Sequence, residues 1–144
     1  MLDGLEVLRS TVIHPWESLD RIVDLYGQAE LGNPQVPGTP AWHLQHIVET
    51  FQLHARTATE GELQFEALSS SAPSALRDTL LHDVERFIGW VNDQSEQRLL
   101  RKIQYMHEMD LQEMLGVMSR HIIWHAAAVH YLLRDQHAAA ARTT

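Results

Sequence analysis

Apolar residues recur at spacings of three and four along this chain, and this periodicity restricts its fold more than any other feature. The clearest run would form one buried stripe on a helix and consists of Leu76, Leu80, Val84, Phe87 and Val91. Val, Ile and Thr are too sparse and too irregularly spaced for strands. The pattern therefore predicts an all-α protein.

Three breaks divide the periodic sequence. The first is LGNPQVPGTP, residues 31–40, which contains three prolines and two glycines. The second spans residues 60–74 and ends at Pro73 and Ser74, and a weaker polar break covers residues 107–110. The four segments between them predict a four-helix bundle with a long connection between helices 2 and 3. No change in composition suggests a second domain, so residues 1–144 are predicted to form a single domain.

The ends of the predicted helices follow from local signals. The first helix is expected from about Leu2 to Ala29, kinked or split at Pro15. The second begins after Thr39 as N-cap, and the third after Ser74 as N-cap. The fourth runs from Asp110, with Glu113 in a capping-box position, to about His137.

Charge and cysteine content exclude several classes of function. The formal charge is −8, from 11 basic and 19 acidic residues, and the basic residues are scattered. Nucleic acids and anionic membranes are therefore not expected as partners. Because the chain has no cysteine, any metal site must use nitrogen and oxygen ligands. The sequence shows no signal-peptide pattern and no apolar run long enough to span a membrane, so we expect a cytoplasmic protein.

Ten histidines are present, and the apolar stretch HIIWHAAAVHYLL, residues 121–133, contains three of them. His121 and His125 continue a row of side chains three or four residues apart, which includes Met114, Met118, Ala128 and Leu132. Two imidazoles at positions i and i+4 can bind one metal ion together. They can equally be buried histidines that hydrogen-bond to the backbone or to each other, and this segment alone leaves both interpretations open.

The second helix offers a third histidine. Trp42, His46 and Glu49 share one face, and His43 and His54 lie on the neighbouring face. If His46 points inward, three neutral imidazoles from two helices meet, which is a usual ligand set for a catalytic metal with open positions. On this interpretation His43 and His54 are solvated residues at the rim.

The other histidines are weaker candidates for metal binding. His130 lies roughly 140° round the helix from His125, so it should not share the same ion. His137 is near the end of its helix, and His82 is expected to face water. His107 falls in a connection, and His14 precedes Pro15 at the kink.

Two stretches resemble the DinB-like (damage-inducible, YfiT-like) family. AWHLQHIVET, residues 41–50, preceded by VPGTP, resembles the start of that family's second helix. HIIWHAAAVHYLLR, residues 121–134, resembles its last helix, and the likeness covers nearly the whole chain. The resemblance implies a metal-binding four-helix bundle in which His46, His121 and His125 bind zinc or nickel. It further implies a thiol-dependent S-transferase or isomerase that uses a thiol such as bacillithiol or mycothiol, and a homodimer.

One departure from the family pattern concerns the residues after the second histidine of the last helix. The family often has a polar Arg-Gly-Gln run there, whereas this chain has Ala126, Ala127 and Ala128. Alanine side chains cannot hydrogen-bond a substrate or orient a metal ligand. We therefore expect that the family's usual chemistry can be lost here even if the metal still binds.

The sequence is compatible with three functions. The leading hypothesis is an S-transferase in which the metal activates a low-molecular-weight thiol toward an electrophilic substrate. Glu49 is a weak candidate acceptor for an imidazole N–H in such a site. The alternatives are a hydrolase that uses metal-bound hydroxide and a non-enzymatic, metal-stabilised, stress-related scaffold.

Overall fold

The first predicted helix is split in two. The computed structural model describes residues 3–26 and 31–143, with α1 at Asp3–Val12 and α2 at Leu19–Tyr26. Between them, the ring Nδ1 of His14 accepts from the backbone N–H groups of Trp16 and Glu17, both at 3.3 Å. Of the two outcomes expected at Pro15, a kink or a split, the structure shows the split. The predicted ends at Leu2 and Ala29 lie outside the described residues.

The second predicted helix begins where expected. α3 spans Pro40–Ala58, and the Thr39 hydroxyl accepts from the backbone N–H of Trp42 at 3.2 Å. The helix is followed by Glu60 and Gly61, which adopt positive φ angles of 52° and 81°. Such angles turn the chain out of a right-handed helix. The long connection, residues 59–72, follows.

The third helix begins earlier than predicted. α4 spans Pro73–Asn92, so its N-cap is Ala72 and the predicted cap, Ser74, lies inside the helix. Pro73 occupies the first helical position, where its fixed φ is suited to a helix and its missing N–H is not needed. The predicted apolar stripe is confirmed, since all five of its side chains are buried.

A short helix and a small hairpin connect α4 to the last helix, and neither was predicted. α5 spans Glu96–Leu99. β1, Ile103–Gln104, pairs antiparallel with β2, Glu108–Met109, and Ile103 lies opposite Met109. Both of these side chains are buried, so the hairpin is fixed to the core by two apolar residues.

The last helix, α6, spans Leu111–Ala141 and is capped as predicted, because the Asp110 carboxylate accepts from the backbone N–H of Glu113 at 2.8 Å. The Glu113 carboxylate lies 2.8 Å from the ring Nε2 of His107. α3 packs against α6, α4 and β1, while α1 and α2 pack against α4 and α6. Among the described residues, no helix combines the length and the apolar character that crossing a membrane requires.

Candidate metal centre

Two helices bring three histidines together. His46 lies on α3, and His121 and His125 lie one turn apart on α6, which packs along α3. Each of these histidines offers one ring nitrogen, and the three nitrogens lie within 4.8 Å of one another. The ring centroids are 4.4 Å apart for His121 and His125, 4.7 Å for His46 and His125, and 5.0 Å for His46 and His121. His46 thus lies beside His121 and His125, which is the condition under which the sequence brings three imidazoles together.

The chemistry of this group fits a divalent metal ion. Nε2 of His121 is buried and has no hydrogen-bond partner among the described residues. Leaving a buried polar atom unpartnered costs about 1 to 3 kcal/mol. A metal ion shared with His46 and His125 would give that nitrogen a partner, and three imidazoles form a common ligand set for zinc and a suitable one for nickel. The three histidines thus form a group that can bind a metal ion.

His121 and His125 are neutral at physiological pH. Burial, together with the neighbouring His125, His46 and His54, lowers the pKa of His121 to about 4. Burial likewise lowers the pKa of His125 to about 4, with added contributions from His46 and His43. Neutral imidazole carries the lone pair that a metal requires, so these side chains are in a binding-competent state without loss of a proton.

Trp42 covers one side of the group. Its ring stacks on that of His46, with centroids 4.8 Å apart and an angle of 8° between the planes. The same indole meets His43 at 5.0 Å and His125 at 6.1 Å in edge-on contacts. The Trp42 ring therefore contacts imidazoles on both α3 and α6 and restricts the orientation of all three.

The structure corrects the interpretation of His43 and His54 as solvated rim residues. His43 is half-buried, and its Nδ1 lies 2.8 Å from Nδ1 of His125. His54 is only 3% exposed, and its Nε2 lies 3.1 Å from the Tyr105 hydroxyl, in the hairpin. The prediction assumed one inward face for this helix, whereas α3 has neighbours on several sides.

Glu49, the weak candidate acceptor for an imidazole N–H, lies apart from the group. Its side chain is exposed, and its Oε1 accepts from the Gln45 amide at 2.8 Å. The side chain near the ring of His46 is Thr50, whose Oγ1 lies 3.5 Å from Nε2 of His46. The hydroxyl sits one turn after His46, a position that sequence reasoning assigned to no role.

The weaker histidine candidates lie outside the group. His82 and His107 are exposed, and their rings approach Asp83 at 3.4 Å and Glu113 at 2.8 Å. His14 and His137 are also exposed. His130 is half-buried on a different side of α6 from His121.

The alanines at 126–128, where the DinB-like pattern has a polar run, do not all face the histidines. Ala126 and Ala127 line a groove of about 460 Å³ between the region of α1 and α2 and the opposite side of α6. Trp16, Ile22 and Tyr131 line the same groove. Ala128, seven residues after His121, is the alanine whose helical position matches that of the histidines. The departure from the family pattern therefore falls mainly on another face of the helix.

A solved structure has the same fold. It is the crystal structure of a DinB-like protein, YjoA, from Bacillus subtilis, which is 17% identical to this chain. The match covers 94% of this chain and 90% of the other, with a TM-score of 0.61. No protein-family model and no curated protein matches the chain. The predicted all-α, DinB-like fold is confirmed by this structural likeness.

Proposed function

We propose that this protein is a metal-dependent enzyme that transfers a low-molecular-weight thiol to an electrophilic substrate, with His46, His121 and His125 as ligands of zinc or nickel. One observation carries the proposal: three imidazole nitrogens lie within 4.8 Å of one another across two helices. The unpartnered Nε2 of His121 and the fold shared with a DinB-like protein also support it.

The chain's own residues would hold the ion and leave it accessible. Three protein ligands are fewer than zinc normally takes, so positions remain for a small molecule. When bound, the ion would supply positive charge that lowers the pKa of a thiol placed beside it. Trp42 shields one face of His46, and all three ligand residues are half-buried, so the group is neither sealed in the core nor fully exposed.

The proposed reaction is a substitution at carbon. The thiol loses its proton to solvent, and its sulfur forms a bond to the electrophilic carbon. The leaving group departs with the electron pair of the bond that breaks. Because the chain has no cysteine, the thiol must come from outside the protein.

Metal binding is tested first. Tag-free protein purified without added metal is assayed for metal by mass spectrometry and then titrated with zinc, beside His121→Ala and the control His82→Ala. We expect close to one zinc or nickel per chain in the parent and the control, and almost none in His121→Ala. Equal zinc affinity in the parent and His121→Ala would refute the three-histidine site.

Activity is tested on the zinc-loaded and nickel-loaded protein. Bacillithiol and mycothiol are each offered with a panel of electrophiles, and each mixture is repeated without thiol. A thioether product that depends on both the thiol and the metal supports the transferase. Turnover without thiol would identify a hydrolase instead, and a loaded protein without turnover on either panel would favour the metal-stabilised scaffold.

A further inference from the structure

His43, on α3, makes a short polar contact with His125, on α6. Its Nδ1 lies 2.8 Å from Nδ1 of His125, which is within hydrogen-bond distance. The His43 ring is held by Trp42, whose ring meets it edge-on at 5.0 Å with an angle of 77° between the planes. The His43 ring that makes the contact therefore packs against its neighbour on the same helix.

The chemistry of two neutral imidazoles limits what this contact can be. One Nδ1 must carry the proton and the other must offer its lone pair. If His43 donates, then His125 carries its own proton on Nε2, and neither nitrogen of His125 has a lone pair left for a metal. If His125 donates, its Nε2 is left with a lone pair. A His125 that binds metal while keeping this contact must therefore donate.

We infer that His43 is a positioning residue of the metal site: it accepts a hydrogen bond from Nδ1–H of His125 and so leaves Nε2 of His125 as the metal-binding nitrogen. The inference rests on the proposed function and extends it beyond the three ligands. Partners that fix the tautomer and the orientation of a ligating histidine typically contribute a factor of about 10 to 100 in metal affinity.

The geometry separates His43 from the ligands themselves. Among the described residues, the histidines whose ring nitrogens all lie close to one another are His46, His121 and His125. His43 is not part of this group. The identity of the partner also matters, because an imidazole is neutral where a carboxylate would carry a negative charge. A His43 ring that accepts at Nδ1 carries its proton on Nε2 alone and is uncharged. A partner of this kind would add no negative charge beside a bound metal ion.

The experiment compares zinc affinity in four proteins: the parent, His43→Ala, His43→Asn and the control His82→Ala. Zinc alone is the probe, in competition with a chromophoric chelator, and circular dichroism checks the fold of each metal-free variant. We expect His43→Ala to weaken zinc binding about 10-fold or more without changing the stoichiometry. His43→Asn should recover most of the loss, because its amide oxygen can accept at the place of Nδ1. Unchanged affinity in His43→Ala would overturn the inference.

Two further measurements distinguish positioning from ligation. In the zinc-loaded parent, long-range ¹H–¹⁵N correlation spectra should show His125 protonated at Nδ1, and a proton on Nε2 would overturn the inference. With cobalt in place of zinc, the visible spectrum of His43→Ala should match that of the parent. A spectrum showing one nitrogen ligand fewer would make His43 a ligand.

If the parent binds no zinc at all, the proposed function fails and the inference fails with it, whereas the other adverse outcomes concern His43 alone.

Discussion

Two half-buried histidines at the contact between α3 and α6, His121 and His125, are held in their neutral form by their surroundings. His121 and His125 each lose hydration on folding, and each lies close to other imidazoles that would repel its positive charge. Burial and the neighbouring imidazoles both disfavour the protonated form in the folded state. The neutral form that remains is the one that can bind a metal. The metal-free protein should therefore be sensitive to acid at these residues.

We predict that the metal-free protein loses stability as the pH falls from about 6.5 to about 4. The pKa of an unfolded histidine is about 6.5, whereas the folded values for His121 and His125 are about 4, so the unfolded chain binds more protons in this range. The stabilisation is complete above pH 6.5 and should fall by a few kcal/mol toward pH 4. Urea denaturation at a series of pH values measures it.

The control for this prediction is a double variant, His121→Gln with His125→Gln, in which carboxylates still titrate but the two imidazoles are gone. Its stability should change much less between pH 6.5 and pH 4. Parallel pH profiles for the double variant and the parent would show that other groups cause the acid sensitivity.

The arrangement of the histidines could be predicted only in part. His121 and His125 share a face by helical geometry alone, and His46 follows once one face of α3 is taken as inward. The spacing of residues does not report how many neighbours a helix has. α3 contacts α6, α4 and β1, so His43 and His54 are also enclosed, and this follows from packing that a single sequence does not display.

At the scale of the elements, local signals predicted the helix starts that depend on a side-chain cap. The Thr39 hydroxyl and the Asp110 carboxylate both accept from the first turn, as their positions indicated. Ser74 was the wrong choice, because the helix starts from the geometry of Pro73 and needs no cap. The hairpin was missed because its strands have two residues each, too few for an alternating pattern.

The uncapped start of α4 leads to a prediction at this scale. Ala72 has the extended backbone of an N-cap, with φ −62° and ψ 133°, but makes no side-chain hydrogen bond to the helix. Replacing it by aspartate should provide that bond and stabilise the protein by about 1 kcal/mol. Thermal and urea denaturation of Ala72→Asp measure the gain.

Ser71→Asp is the matched control, since it adds the same charge one residue earlier, outside the cap position. It should give only a fraction of the gain from Ala72→Asp. If both variants stabilise equally, the effect comes from the charge near the helix N-terminus and the cap has no role.

For the molecule as a whole, metal binding should couple to unfolding. A ligand that binds the folded state alone stabilises it by about 2.7 kcal/mol when its free concentration is 100 times Kd. We therefore expect zinc to raise the midpoint of thermal unfolding of the parent and of His82→Ala, but not of His121→Ala. An equal rise in all three proteins would point to binding elsewhere.

The expected homodimer stays a prediction, and the exposed apolar side chains of α6 are the place to test it. Ile123, Trp124 and Tyr131 are each more than half exposed, and exposed apolar side chains that lie together mark interaction surfaces. Sedimentation should give the mass of two chains for the parent and of one chain for Ile123→Asp. Leu53→Asp, an equally charged change on the exposed side of α3, is the control and should stay dimeric. A monomeric parent at micromolar concentration would contradict the expectation.

The contact between α3 and α6 joins parts of the chain that are far apart in sequence, since His43 and His125 are separated by 82 residues. An ion held across that contact would close a long loop of the polypeptide, as a disulfide does, by removing extended conformations from the unfolded ensemble. A disulfide cannot form within a chain without cysteine. This protein would thus have a cross-link that chelators can open and that reducing agents leave intact.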